Sequence, residues 1–187
     1  MNDDIQKAIE VLKKGGTILY PTDTVWGIGC DATNDKAVSK IYALKKRDNN
    51  KNMLALIDHI DKLSLYLRQV PDMADDLISM SNKPLTIIYP GAINLAQNLI
   101  AEDGSIGIRV TSDEFCQKLI TRFKKPIVST SANISNMPVP SNFDDISDEI
   151  KKSVDFVVGW RQDDTHKTKP SGIIKLGLKG EIKIIRE

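Results

Sequence analysis

The sequence contains few of the residues that most often carry metal, redox and proton-transfer chemistry. Its 187 residues include two cysteines, Cys30 and Cys116, and two histidines, His59 and His166. The cysteines match no zinc or redox spacing and are typical of reduced thiols in a cytoplasmic protein. The isolated histidines predict neither a catalytic triad nor a metal site. Any catalysis is therefore expected to depend on positioning and charge stabilisation, as in phosphoryl or nucleotidyl transfer.

The sequence also lacks a charge excess and a long apolar run. Lysine and arginine number 26 against 25 acidic residues, for a net charge of +1, so only a local basic face would indicate a nucleic-acid partner. No segment approaches the roughly 18 apolar residues of a membrane-spanning helix. With 41% hydrophobic residues, a chain of this length can bury one core. We predict a cytoplasmic protein without membrane contact, folded as a single domain over residues 1–187.

Short apolar runs alternate with amphipathic segments along the whole chain, which predicts an α/β sheet covered by helices. Strands are predicted at Thr17–Tyr20, Met53–Ile57, Pro84–Tyr89, Ser105–Val110, Pro126–Thr130, Val154–Val158, Gly172–Lys175 and Ile182–Arg186. Helices are predicted after a cap at Asp3 or Asp4, after a cap at Asn34 or Asp35, over Ile60–Leu67 and Pro71–Met80, from near Ser112, and over Asp144–Lys151. The polar, aperiodic segment Arg161–Pro170 is interpreted as a loop.

The most informative segment joins the first predicted strand to the second helix. Thr22, Asp23 and Thr24 directly follow that strand, at the sheet edge where α/β proteins commonly bind ligands. An ordinary turn capped by a side chain explains these residues equally well. Gly27 and Gly29 would let backbone amides approach a ligand closely. The sequence has neither of the common glycine-rich nucleotide motifs.

Three cations are candidates for binding an anion. Lys45 and Arg47 end a predicted helix, where they either complement the helix dipole in solvent or bind two phosphates. Arg109 lies inside an apolar strand, so it requires either an internal carboxylate or a bound anion.

A cluster of hydroxyl and amide side chains ends another predicted strand. Ser131 and Asn133 belong to this cluster, which is either a polar turn or part of a pocket for a nucleotide or an amino acid. Ser171 and Arg186 lie near the last two strands and are weaker candidates.

Four segments together resemble the YrdC family. They occur in the family's order at Tyr20–Gly29, Lys45–Arg47, Ser105–Val110 and Pro126–Asn133, and the similarity extends from about Gly15 to Arg186. The resemblance implies a twisted, open, mixed β-sheet flanked by helices, with a concave basic site. It also implies synthesis of threonylcarbamoyl-AMP and pyrophosphate from L-threonine, bicarbonate and ATP with Mg²⁺. The product would serve threonylcarbamoyladenosine modification of tRNA through a downstream threonylcarbamoyl transferase complex, with tRNA or double-stranded RNA as a candidate partner.

The resemblance also assigns expected roles to individual residues. The residues are Lys45 and Arg47 for the ATP phosphates and catalysis, Thr22, Thr24, Arg109 and Ser131 for threonine, and Lys45, Arg47, Thr86, Ser131, Asn133, Ser171 and Arg186 for the nucleotide.

The sequence departs from the family pattern at five places. Trp26 stands where the family usually has a tyrosine, and Ser135-Asn136 stands where it usually has Ser-Gly. Asp48 replaces a usual proline, Ser81–Lys83 replaces Trp-Pro-Gly, and Gly172 replaces a threonine. These departures leave open a divergent paralogue that binds RNA or nucleotide without this catalysis. A carbamoyl-adenylate domain like that of hydrogenase-maturation proteins is a third reading, which the two isolated cysteines disfavour.

Overall fold

The computed structural model describes residues 1–46, 53–166 and 169–187. The strands are β1 (Ile18–Tyr20), β2 (Gly27–Gly29), β3 (Leu54–Ile57), β4 (Leu85–Tyr89), β5 (Ile106–Val110), β6 (Ile127–Ser131), β7 (Phe156–Val157), β8 (Gly172–Leu176) and β9 (Ile182–Arg186). The helices are α1 (Asn2–Lys13), α2 (Asp35–Leu44), α3 (Leu63–Tyr66), α4 (Ala74–Ser79), α5 (Glu114–Phe123) and α6 (Asp148–Ser153), and a 3₁₀ turn (Ile60–Lys62) precedes α3. None of these helices is long and apolar enough to cross a membrane.

The strands form one nine-stranded mixed sheet in the order β7-β1-β2-β6-β3-β5-β4-β8-β9. β1/β7, β3/β5 and β4/β8 pair in parallel, and the other neighbours pair antiparallel. The predicted α/β fold with a mixed sheet flanked by helices is confirmed. β9 lies at one edge of the sheet, where β8 is its one partner among the described strands, and it is exposed at all five of its residues.

Side-chain caps set where α2 and α5 begin. Asn34 accepts a hydrogen bond from the Ala37 amide at the start of α2, as predicted. Asp113 likewise caps α5 by accepting from the Cys116 amide at 2.9 Å.

Other predicted helix bounds are wrong. Asp3 and Asp4 lie in the first turn of α1, where their charges favour the helix dipole, and Met1 precedes the helix. The helix expected at Asp144–Lys151 begins only after Ser147, whose hydroxyl is its cap. The helices expected at 60–67 and 71–80 are reduced to one or two turns each.

Strand β2 was not predicted, because two of its three residues are glycines and give no apolar signal. It is held between β1 and β6. A Cβ at Gly29 would lie 2.5 Å from the Val128 carbonyl oxygen and 2.7 Å from the Tyr20 ring. The Tyr20 hydroxyl donates to the same carbonyl at 3.1 Å. Glycine is therefore required for the close approach of these three strands.

The two faces of the sheet differ. On one face, α1 packs against α5 and β1, while α5 also contacts β3, and these elements enclose the apolar core. The opposite face borders a cavity of about 1020 Å³. In β4, the alternation of strand side chains places Ile87 and Tyr89 in the core, whereas Thr86 and Ile88 line the cavity. The sheet therefore separates the core from a space lined by both polar and apolar side chains.

Both cysteine thiols are buried in the core and form no disulfide. Burial raises the pKa of Cys30 and of Cys116, so both remain protonated and unreactive at neutral pH. The thiols have a packing role.

We expect Gly29→Ala to lower the free energy of unfolding by about 1–3 kcal/mol, because the added methyl group would overlap three packed neighbours. Urea unfolding measures this loss. Gly172→Ala is the matched control, since its Cβ would lie 3.7 Å from the nearest atoms and should change stability by less than about 0.5 kcal/mol. Equal losses in both variants would contradict the packing role of Gly29.

Candidate active site

The cavity collects predicted residues from distant parts of the chain. Its lining includes Thr24, Thr86, Arg109, Ser131, Ser171 and Arg186. Thr22, Lys45 and Asn133 lie outside the lining, as shown below, and Arg47 and Asp48 lie outside the described residues. The sequence segments that contribute include the turn before β2, the start of β3, the faces of β4 and β5 with the segment between them, the end of β6, and the β8–β9 pair.

The Thr22 side chain closes the turn that presents Thr24 to the cavity. Its hydroxyl donates to the Val25 carbonyl at 2.7 Å and accepts from the Thr24 amide at 3.0 Å. The two threonine hydroxyl oxygens are also 3.0 Å apart. The structure thus shows a turn capped by a side chain, from which Thr24 and Val25 line the cavity.

Arg109 is buried against the same turn. Its Nη2 lies 3.0 Å from Oδ1 of Asp23, and the two side chains are 3% and 6% exposed. The internal carboxylate that the sequence left open is therefore Asp23. Arg109 still lines the cavity, and its Nε has no hydrogen-bond acceptor among the described residues.

A second cluster joins β4, β8 and β9. The hydroxyls of Thr86 and Ser171 are 2.8 Å apart, and Arg186 donates from Nε (3.0 Å) and Nη2 (2.8 Å) to the Ser171 carbonyl. Partial burial, and then the charge of Arg109, lower the pKa of Arg186. Two guanidinium groups therefore share the cavity, and an anion between them would offset their repulsion.

Lysines that sequence reasoning missed add to the cavity's charge. Lys175 and Lys183 line it together with Asp103. Lys175 binds Asp103 at 2.8 Å, and hydrogen bonds from Lys175 and Ser105 lower the pKa of Asp103 to about 2. The signal that was available is strand alternation, because Lys175 shares a strand face with the cavity-lining Ile173.

Lys45 is fully buried, so the interpretation of a solvated helix end is wrong for this residue. Its Nζ donates to the carbonyl oxygens of Ser131 and, at 2.6 Å, of Asn133. The Lys45 carbonyl accepts from the Ser135 amide at 2.9 Å. Lys45 therefore joins the end of α2 to the loop after β6.

The side chain of Asn133 stabilises the same loop through hydrogen bonds. Its Oδ1 accepts from the Ser131 hydroxyl at 2.5 Å, and its Nδ2 donates to the carbonyls of Ile134 (3.0 Å) and Met137 (2.7 Å). These bonds fix the side chain of Ser131, which lines the cavity.

Ser81–Lys83 and Gly172, two of the places where the chain departs from the family pattern, are not among the residues that line the main cavity. Ser81–Lys83 line a second cavity of about 380 Å³, which Asp23 also borders. A Cβ at Gly172 would meet the Arg186 carbonyl oxygen at 3.7 Å, so the strand accommodates a side chain there. Among the described residues, no group of three or more acidic, histidine or cysteine side chains is placed to hold a metal ion.

Comparisons with known proteins agree with this architecture. A family model for Sua5, YciO and YrdC, described as telomere recombination, matches residues 10–187. A threonylcarbamoyl-AMP synthase of Photobacterium profundum is 31% identical over 159 residues, which are 83% of this chain and 86% of that protein. The crystal structure of E. coli YciO has a TM-score of 0.86 at 26% identity and covers 100% of this chain and 90% of YciO.

A further structure shares the fold with a longer protein. P. abyssi Sua5, crystallised with L-threonine, has a TM-score of 0.81 at 24% identity. The match covers 92% of this chain and 50% of the Sua5 chain.

We expect Lys45→Met to lower the free energy of unfolding by about 1–3 kcal/mol, because two carbonyls would lose their donor. Chemical denaturation measures the change. Lys46→Met is the control, since the exposed Lys46–Glu149 pair contributes at most about 1 kcal/mol. Unchanged stability combined with a loss of ATP use would instead favour phosphate binding by Lys45.

Proposed function

Because this chain belongs to the Sua5/YciO/YrdC family, we propose that it is a threonylcarbamoyl-AMP synthase, a nucleotidyltransferase that uses L-threonine, bicarbonate and ATP. The observation that carries the proposal is the cavity of about 1020 Å³ in which hydroxyl groups and four cations converge, beside the carboxylates of Glu102 and Asp103. These cations are Arg109, Lys175, Lys183 and Arg186. The volume lies at the upper end of the range for small-molecule sites, as expected for a nucleotide beside an amino acid.

The proposed reaction has two steps. The amine of threonine reacts with bicarbonate and loses water to give a carbamate. A carbamate oxygen then bonds to the α-phosphorus of ATP as the bond to the bridging oxygen breaks, which releases pyrophosphate. Negative charge increases on the leaving group, so fixed cations that face it lower the barrier.

The arrangement of side chains suits a division of the cavity. Thr24 and Arg109 lie together at one side, joined through Asp23, and would bind the hydroxyl and carboxylate of threonine. The Thr86–Ser171–Arg186 cluster begins on β4, the strand next to β5, extends across the β8–β9 pair, and would bind the nucleotide. Ser131 would lie beside both substrates. Catalysis then arises from holding the carbamate in line with the α-phosphorus.

Mg²⁺ is proposed to enter with ATP. Because the described residues form no three-ligand cluster, they do not fit a dedicated protein site for the ion. Phosphate oxygens and water would supply most of its ligands, as is usual for Mg²⁺ in nucleotide complexes.

We further propose a place in tRNA modification. The product is a reactive mixed anhydride, which requires a transferase that passes the threonylcarbamoyl group to an adenosine of tRNA. Location in the cytoplasm and direct binding of tRNA are parts of this proposal.

The first test is pyrophosphate release from Mg-ATP. We expect release only when both L-threonine and bicarbonate are present, because the carbamate is the nucleophile. Release that ignores either substrate would contradict the proposed reaction. No release from folded protein would favour the paralogue that binds RNA or nucleotide, whose RNA affinity should fall steeply with salt.

A charge substitution tests the nucleotide side of the cavity. Arg186→Gln should raise the KM for ATP about tenfold, or about 1.4 kcal/mol, because the cavity loses one of its cations. Lys179→Gln is the control, since it removes the same charge from an exposed turn outside the cavity. Equal KM values for the two variants would rule out a contact between Arg186 and ATP.

A further inference from the structure

We propose that Arg161 is a positioning residue that holds the Thr22–Val25 turn against the cavity. Through this turn it also positions Thr24 and Arg109. Its effect on threonine rests on the proposed function, whereas its effect on the turn does not.

The backbone at Arg161 is strained for a residue with a side chain. Its φ is +63°, in the left-handed region that favours glycine. A non-glycine residue persists there when its surroundings compensate for the conformation. At Arg161 the compensation comes from the guanidinium, because its Nη2 lies 2.6 Å from Oδ2 of Asp113.

Asp113 joins Arg161 to the start of α5. Its other oxygen, Oδ1, caps the helix at the Cys116 amide at 2.9 Å. The Asp113 side chain is 5% exposed, so its charge needs the nearby cation. The Cys116 thiol, on the same helical turn, donates to the Pro21 carbonyl at 3.3 Å.

Arg161 contacts the carbonyl of Thr22, the residue that follows Pro21. Its Nη2 lies 3.4 Å from the Thr22 oxygen, a long hydrogen bond. The carbonyls of two successive residues are thus hydrogen-bonded. The Cys116 thiol, near the start of α5, binds that of Pro21, and Arg161 binds that of Thr22. The next two residues contact the candidate site. Asp23 pairs with Arg109, and Thr24 lines the cavity.

The experiment compares Arg161→Gly with Lys124→Gly. Lys124 has the same φ of +63° but is an exposed residue at the end of α5, outside the cavity. Glycine relieves the same backbone strain at both positions, and only Arg161→Gly removes a contact with the turn. Arg161→Lys keeps the charge without the planar fork and should give an intermediate result.

Hydrogen–deuterium exchange without substrate is the first readout. We expect amide exchange in residues 22–25 to become at least threefold faster in Arg161→Gly and to stay unchanged in Lys124→Gly. Unchanged exchange in Arg161→Gly would overturn the proposal, and so would equal acceleration in both variants. This readout is independent of any enzymatic activity.

Kinetics are the second readout. The KM for threonine should rise about three- to tenfold in Arg161→Gly, while the KM for ATP and the kcat at saturating threonine change less than twofold. A faster-exchanging turn with unchanged KM for threonine would contradict the link from the turn to threonine. If wild-type protein releases no pyrophosphate, the proposed function fails, and the exchange result still decides whether Arg161 positions the turn.

Discussion

The buried ion pair of Asp23 and Arg109 is the constraint on which the cavity depends. Two charges with this little exposure are tolerated only when each neutralises the other. Asp23 follows β1, whereas Arg109 lies on β5, and β2, β6 and β3 separate these two strands in the sheet. The turn must therefore reach across the sheet face, and Gly27 lies beneath it, close to the Thr22 methyl group. The ion pair fixes one wall of the site. It also offsets the free-energy cost of burying its two charges.

The sequence predicts elements whose signal is local. Strands β3, β4, β5, β6 and β8 come from apolar runs, and each lies within one or two residues of its predicted bounds. Strand β2 carries no such signal, because its glycines become a strand only by pairing with two partners that are remote in sequence. The helix predicted at Asp144–Lys151 was misplaced because α6 begins only after Ser147, which provides its cap.

The directions of the side chains limited how much of the candidate site could be predicted from the sequence. Polar residues at strand ends and on one strand face were found, since Thr86, Arg109 and Ser171 do meet in one cavity. The orientation of Lys45 was not predictable, because a cation at a helix end gives the same pattern whether it faces solvent or buried carbonyls. Arg161 was passed over as part of a polar loop, and its partner Asp113 is remote in sequence. The chemical assignment came from family resemblance, which residue patterns alone did not supply.

The position of Arg186 on the edge strand has a thermodynamic consequence. Strand β9 is exposed throughout and is hydrogen-bonded on one side only, which are the properties of segments that open by local unfolding at low cost. Each such opening withdraws Arg186 from Ser171 and removes two cations, Lys183 and Arg186, from the cavity. The affinity for an anion therefore includes the free energy of ordering β9, and a bound anion shifts the fraying equilibrium of this strand towards its docked state.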